Sequence, residues 1–206
     1  LRLTAASDSS HPQNLGPVAG ASRLRARKSA LVYGPNGSGK STLIRAAATM
    51  RKIVRTSATG VVADEPLPID PFRLESNLKR SPSSFEMSFV HEGTRYQYGF
   101  SATKEKIVEE WLYAFPRGRR QTWFERTEAA QGWHFGPSLV GERERIRRLT
   151  RQNALYLSTA ASLGHPQLSK IYAWFSLIQI PTPKAWRNGP RLALARADQL
   201  LSKRPD

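Results

Sequence analysis

The order of apolar and polar positions divides the chain into stretches of different period. Ala30-Leu31-Val32-Tyr33 is a short unbroken apolar run, which predicts a buried strand. Leu43, Ala46, Ala47 and Met50 then recur at helical spacing, so a helix with one apolar face follows. Over residues 85–136 the period changes to two. Phe85, Met87 and Phe89 alternate with polar residues, Glu92-Gly93 turns the chain, and Tyr96, Tyr98 and Phe100 alternate on the way back. Ile107, Trp111, Tyr113 and Phe115 are expected to share one face of a third strand. Pro116-Arg117-Gly118-Arg119 is a second turn, leading into Gln121-Thr122-Trp123-Phe124-Glu125 and a short fifth strand at Trp133-His134-Phe135. Connections this tight predict antiparallel pairing, a β-meander. Aromatics at period two can stack nucleic-acid bases, but a stripe of this kind reads first as core.

From Gly141 the period turns helical and continues so over about 141–178. Glu142 and Glu144 precede Arg145, Arg147 and Arg148, a spacing that pairs acids with bases on a solvated face. Leu155, Leu157, Ala161 and Leu163 supply apolar positions for one segment. Pro166 can open another, with Leu168, Ile171, Tyr172, Phe175 and Ile178 on its buried side. Residues 5–22 are rich in Ser, Pro, Gly and Asn and read as loop. Arg23, Arg25, Arg27 and Lys28 follow as a basic flank, read as solvated. Asp64-Glu65 ends a weak apolar run, but Pro66, Pro68 and Pro71 surround it, so a proline-rich loop is expected rather than a metal-binding strand end. Pro181-Thr182-Pro183 ends the order, and 181–206 is expected to be a basic, disordered tail with weak helical signal near 192–201. Leu1-Arg2-Leu3-Thr4 reads as a strand already under way, which predicts a fragment or a truncated product.

Composition changes this picture in two respects. Only 39% of the 206 residues are hydrophobic, low for a compact domain, so part of the chain is expected to be loosely held. The net charge of +16 favours a polyanionic partner such as DNA or RNA. The plainer reading is a solvated surface or a surface facing an acidic partner. The chain has no cysteine, which excludes disulfides and thiolate metal sites and fits a reducing compartment. His11, His91, His134 and His165 are scattered without metal-ligand spacing. No apolar run approaches the ~20 residues that span a bilayer, and no signal peptide is visible. A cytoplasmic protein without membrane partners is expected.

Chemistry concentrates between the first strand and the first helix. Gly34-Pro35-Asn36-Gly37-Ser38-Gly39-Lys40-Ser41 meets every required position of the phosphate-binding pattern G-x-x-x-x-G-K-[ST], the Walker A loop, and Thr42 follows. Glycines let the backbone approach a ligand closely. The loop amides can then form an anion nest, and the helix after it adds its positive end. Lys40 is assigned to the β- and γ-phosphates, Ser41 to Mg²⁺, and Thr42 to the α-phosphate. Nucleotide-binding residues are therefore expected at Gly34, Pro35, Asn36, Gly37, Ser38, Gly39, Lys40, Ser41 and Thr42. No catalytic residue can be named.

With loop and meander placed, the chain resembles the N-terminal part of AAA-type, ABC-like ATPases of the SMC/RecN/RecF and OLD group, near bacterial ATP-binding proteins linked to phage defence. The resemblance runs from Leu1 to about Phe175. It is carried by residues 1–7, by residues 31–41 and by Pro71-Phe72-Arg73-Leu74 and Phe85-Glu86-Met87. Arg95-Tyr96-Gln97-Tyr98-Gly99-Phe100, Glu110-Trp111-Leu112-Tyr113 and Trp123-Phe124-Glu125-Arg126 continue it. It implies an α/β fold: a P-loop core over 1–60, incomplete, beside the antiparallel subdomain and C-terminal helices, together a partial head over 1–180. It implies ATP and Mg²⁺, and a homodimer of two heads sandwiching nucleotide. Family members continue into a signature segment, a Walker B strand with a catalytic glutamate and a switch histidine, and none is identifiable here. ATP binding without robust hydrolysis is therefore expected. Two other readings stay open, a P-loop kinase or phosphotransferase and a basic nucleic-acid-binding module with a vestigial P-loop.

Overall fold

The computed structural model describes residues 11–18, 25–69, 81–128 and 132–180. The expectations for residues 1–10, 19–24 and 71–74 and for the tail from 181 lie outside the described residues. The chain divides into two compact units, Leu1–Ser176 and Leu177–Asp206. The first unit mixes helices with a five-stranded antiparallel sheet, an α/β fold.

That sheet is the expected meander: β3 (Ser83–His91), β4 (Thr94–Ala102), β5 (Ile107–Phe115), β6 (Gln121–Thr127) and β7 (Trp133–Phe135), in chain order. Phe85, Met87 and Phe89 pair with Phe100, Tyr98 and Tyr96 across β3 and β4, so the alternating apolar positions face the same side. Tyr98 and Phe100 are fully buried, which makes this stripe core. The third strand corrects the sequence reading. A register shift at Ser101/Ala102 sets Ile107 opposite Ala102 and phases β5 so that Glu110, Leu112 and Ala114 are buried. Trp111 and Tyr113 are only half-buried and belong to the other face. The bulge inserts a residue into the alternation, and side chains beyond it change side. The same face of β5 therefore carries a buried carboxylate that the apolar pattern could not announce.

Three helices cover the core side: α2 (Arg143–Leu149), α3 (Tyr156–Ser162) and α4 (Pro166–Leu177). Tyr156 meets Phe124, Trp133 and Phe135 at ring-centroid distances of 4.8, 5.3 and 5.4 Å. Trp174 stacks on Phe89 at 3.8 Å, and Phe175 meets Tyr98 edge-on at 5.5 Å. Leu168, Ile171 and Phe175 are the buried stripe of α4, and Ile178 falls beyond its end. Glu142 and Glu144 pair with Arg145 and Arg147, both at 2.7 Å, on the solvated face of α2.

The first helix, α1 (Lys40–Thr56), is longer than its first apolar face suggests. The face runs on through Met50, Ile53 and Val54 to Ser57, and these are the residues buried. Complete burial of the three apolar side chains is worth about 1.5–3 kcal/mol each. Hydroxyls fix the contact: Ser158 Oγ donates to Val54 O at 2.6 Å, and Leu155 N donates to Ser57 Oγ at 3.2 Å. Tyr172 Oη donates to Arg55 O at 3.0 Å from α4. The half of α1 nearest the glycine loop is instead exposed, with Leu43 at 38% and Ile44 at 51%.

A separate two-stranded pair joins β1 (Leu15–Pro17) to β2 (Arg25–Arg27), where only loop and basic flank were expected. Both strands are edges, so Pro17 costs no ladder bond on its outer side. Among the described residues, no helix is long and apolar enough to cross a membrane.

Candidate functional site: the glycine loop at the head of α1

Residues 34–39 form an exposed turn that leads straight into α1. Gly37 and Gly39 take φ of 86° and 87°, a left-handed backbone that side chains disfavour, and Gly39 is the N-cap of the helix. Among the described residues, no side chain caps α1. Its first amides therefore lack intrahelical acceptors by helix geometry, and they open on the loop with the positive end of the helix dipole. Lys40 is the first helical residue. Its Nζ folds back over the turn, donating to Gly34 O at 2.6 Å and Pro35 O at 2.7 Å, with Ser38 Oγ at 3.3 Å. Ser38 N donates to Pro35 O at 3.3 Å and closes the turn. Ser41 and Thr42 lie in the first turn of α1 with their side chains exposed, and Asn36 is exposed at the loop tip. Arg45 Nε donates to Ser41 O at 3.4 Å. One short segment thus gathers a lysine, hydroxyls and uncapped amides, a donor set that suits a phosphorylated anion.

The approach to the loop corrects the sequence reading. Ala30-Leu31-Val32-Tyr33 forms no strand, and Leu31 and Tyr33 are 93% and 90% exposed. An apolar run becomes a strand only where a neighbour takes its backbone bonds and covers its side chains. Neither described sheet includes these residues.

Asp64 and Glu65 stand in an exposed loop, as the prolines suggested. Val62 N donates to Glu65 Oε2 at 2.9 Å, a local turn. The segment after α1 is held by two side chains that sequence reading did not single out. Arg151 donates to Ser57 O and Ala58 O, each at 3.2 Å, and to Val61 O at 2.6 Å. Asn153 Nδ2 donates to Val62 O at 2.8 Å and Glu65 O at 3.1 Å. Both lie about ninety positions along the chain from their acceptors, so no local pattern could mark them. Among the described residues, no group of three or more His, Asp or Glu side chains is arranged to hold a metal ion.

No curated protein and no solved structure matches this chain. A family model does, over residues 29–171, a span that begins just before the glycine loop and ends within α4. It covers more than half of the chain and takes in the loop, α1, the whole meander, α2, α3 and the first part of α4. The chain therefore belongs to the family described as "AAA domain, putative AbiEii toxin, Type IV TA system", an AAA-type ATPase domain.

Proposed function

We propose that the chain binds ATP through residues 34–42, as the nucleotide-binding part of an ABC-like ATPase of the SMC/RecN/RecF and OLD group. The supporting observation is the Lys40 ammonium held over the turn by Gly34 O and Pro35 O, at the uncapped head of α1. The residues fit a triphosphate by their chemistry: backbone amides and a lysine offer donors, and Gly37 and Gly39 leave the approach free of side chains. The Ser41 hydroxyl would hold Mg²⁺, which would supply positive charge to offset that of the phosphates. Lys40 would exchange its two carbonyl partners for phosphate oxygens. The family description couples the AAA domain to a putative AbiEii toxin and a type IV toxin–antitoxin system, which favours phage defence as the setting; DNA metabolism and a cytoplasmic location belong to the same proposal without that support. In this reading residues 1–180 are one partial head, 181–206 a basic tail, and two heads sandwich nucleotide. Hydrolysis by this chain alone is expected to be negligible.

Calorimetric titration with ATP and Mg²⁺ tests the site. Lys40→Ala removes charge-assisted bonds worth about 1.5–3 kcal/mol, so affinity should fall at least about tenfold, with the circular dichroism unchanged. Asp64→Asn, in the proline-rich loop, should titrate like the parent. Equal affinity of Lys40→Ala and parent would end this reading, and a loss confined to Asp64→Asn would move the metal site to the Asp64 loop.

A further inference from the structure

The outer face of the meander carries a second concentration of cations, at the end where β4 begins, β5 ends and β6 begins. Arg95 is set beside Phe115 by the β4–β5 register, and its guanidinium lies over that ring at 3.6 Å. Arg120 lies over Tyr113 at 3.7 Å. Between them the β5–β6 turn presents Arg117 and Arg119, which with Pro116 and Gln121 line a concavity. Arg117 sits at φ 53° and Gly118 at φ 78°, so the tight left-handed turn holds its arginines outward on a fixed backbone. The acids at this end are already engaged. Glu125 accepts from Tyr113 Oη at 2.6 Å and from Arg120 at 3.3 Å, and Glu92 pairs with Lys170 at 2.8 Å. Among the described residues, Arg95, Arg117 and Arg119 make no ion pair.

We infer that this end of the sheet is a docking surface for the phosphate backbone of a nucleic-acid duplex. The Arg95 guanidinium, over the Phe115 ring, keeps its N–H groups free of any ion pair among the described residues, and the ring has already removed much of its rotamer freedom. Such a group matches a phosphate, which accepts two parallel hydrogen bonds from it. The rings cannot serve as stacking platforms for bases, because the arginines occupy their exposed faces. That argues for a duplex, which offers closely spaced phosphates and keeps its bases stacked, over a single strand. Contacts of this kind position the partner without reading its sequence. The surface shares no residue with 34–42, so the inference does not rest on the nucleotide reading.

The test is binding of a fluorescent 20-base-pair DNA duplex of mixed sequence to the full chain, titrated from low to moderate NaCl. Arg117→Asn with Arg119→Ser removes two cations and keeps the turn, since Asn accepts the left-handed backbone. The salt slope of log K should become shallower by about 2, close to 0.9 for each phosphate that is no longer neutralised, with weaker binding at low salt. Lys52→Ala with Arg148→Ala removes equal charge from exposed sites on α1 and α2 and should change the slope much less. Duplex binding is measured without nucleotide, so that failure of the nucleotide site and failure of this surface read separately. No duplex binding by the parent, an unchanged slope in the turn variant, or equal losses in the two double variants would overturn the inference. Tighter binding of an unstructured oligothymidine than of the duplex would overturn it as well.

Discussion

His165 shows how much one side chain's surroundings decide. It stands immediately before Pro166 at the head of α4, is 3% exposed, and accepts the Leu168 amide on Nδ1 at 3.2 Å. That bond is an N-cap made by an imidazole. Burial lowers its pKa below the ordinary 6.5. Protonation also puts a hydrogen on the nitrogen that must accept. A lowered folded value means that the stabilisation is whole above the unfolded pKa and is lost as pH falls through the folded one. Urea midpoints of the parent should therefore decline between about pH 7 and about pH 5. His165→Asn keeps a cap without a proton to gain, so its decline should be smaller. Parallel pH profiles for the two proteins would remove His165 from the account.

At the scale of elements, the joint between β5 and α3 is made by Glu110. Its carboxylate accepts Tyr156 N at 2.7 Å and Leu157 N at 3.0 Å, the first amides of α3, and Tyr98 Oη at 3.0 Å. Arg126 approaches to 3.9 Å and donates to Ala154 O at 2.8 Å, so one buried pair ties two strands to the loop before the helix. Burial raises the Glu110 pKa, against the pull of Arg126 and the two amides. Glu110→Ala would strand the Arg126 guanidinium, 9% exposed, beside uncapped amides. Breaking a buried pair from one side costs about 3–5 kcal/mol, and Glu110→Gln, which still accepts, should cost less. A urea-derived loss below about 1 kcal/mol for Glu110→Ala, the range of exposed pairs, would show that the joint is held by ring packing alone. The apolar period marked β5 as a strand, yet a one-residue bulge decided which of its residues are core. Legibility at this scale stopped at the face.

On the scale of the whole molecule, the first unit is unevenly finished. The meander and the helices on its core side bury Tyr98, Phe124, Tyr156 and Phe175 completely. The approach to the glycine loop leaves Leu31, Tyr33 and Ile44 at 93%, 90% and 51% exposure. Apolar surface of this kind promotes association. Sedimentation velocity should show concentration-dependent species for the parent, and Leu31→Ser with Tyr33→Ser should shift the distribution towards monomer. A single monomeric species for the parent at every concentration would refute this. The candidate site itself was legible from residues 34–42, because glycine spacing and the Lys-Ser pair act through local backbone chemistry, and local chemistry is written in adjacent letters. The same holds for the period-two stripe of the meander and the Glu-to-Arg pairs of α2. Only the tertiary structure decided that residues 30–33 have no strand partner among the described residues, that Glu110 belongs to the core, and that Arg151 and Asn153 hold the loop after α1. It also brought Arg95 to the same sheet end as Arg117, Arg119 and Arg120. Those outcomes depend on which distant segments meet, and a strand, a buried charge or a clamp exists only once its partner has arrived.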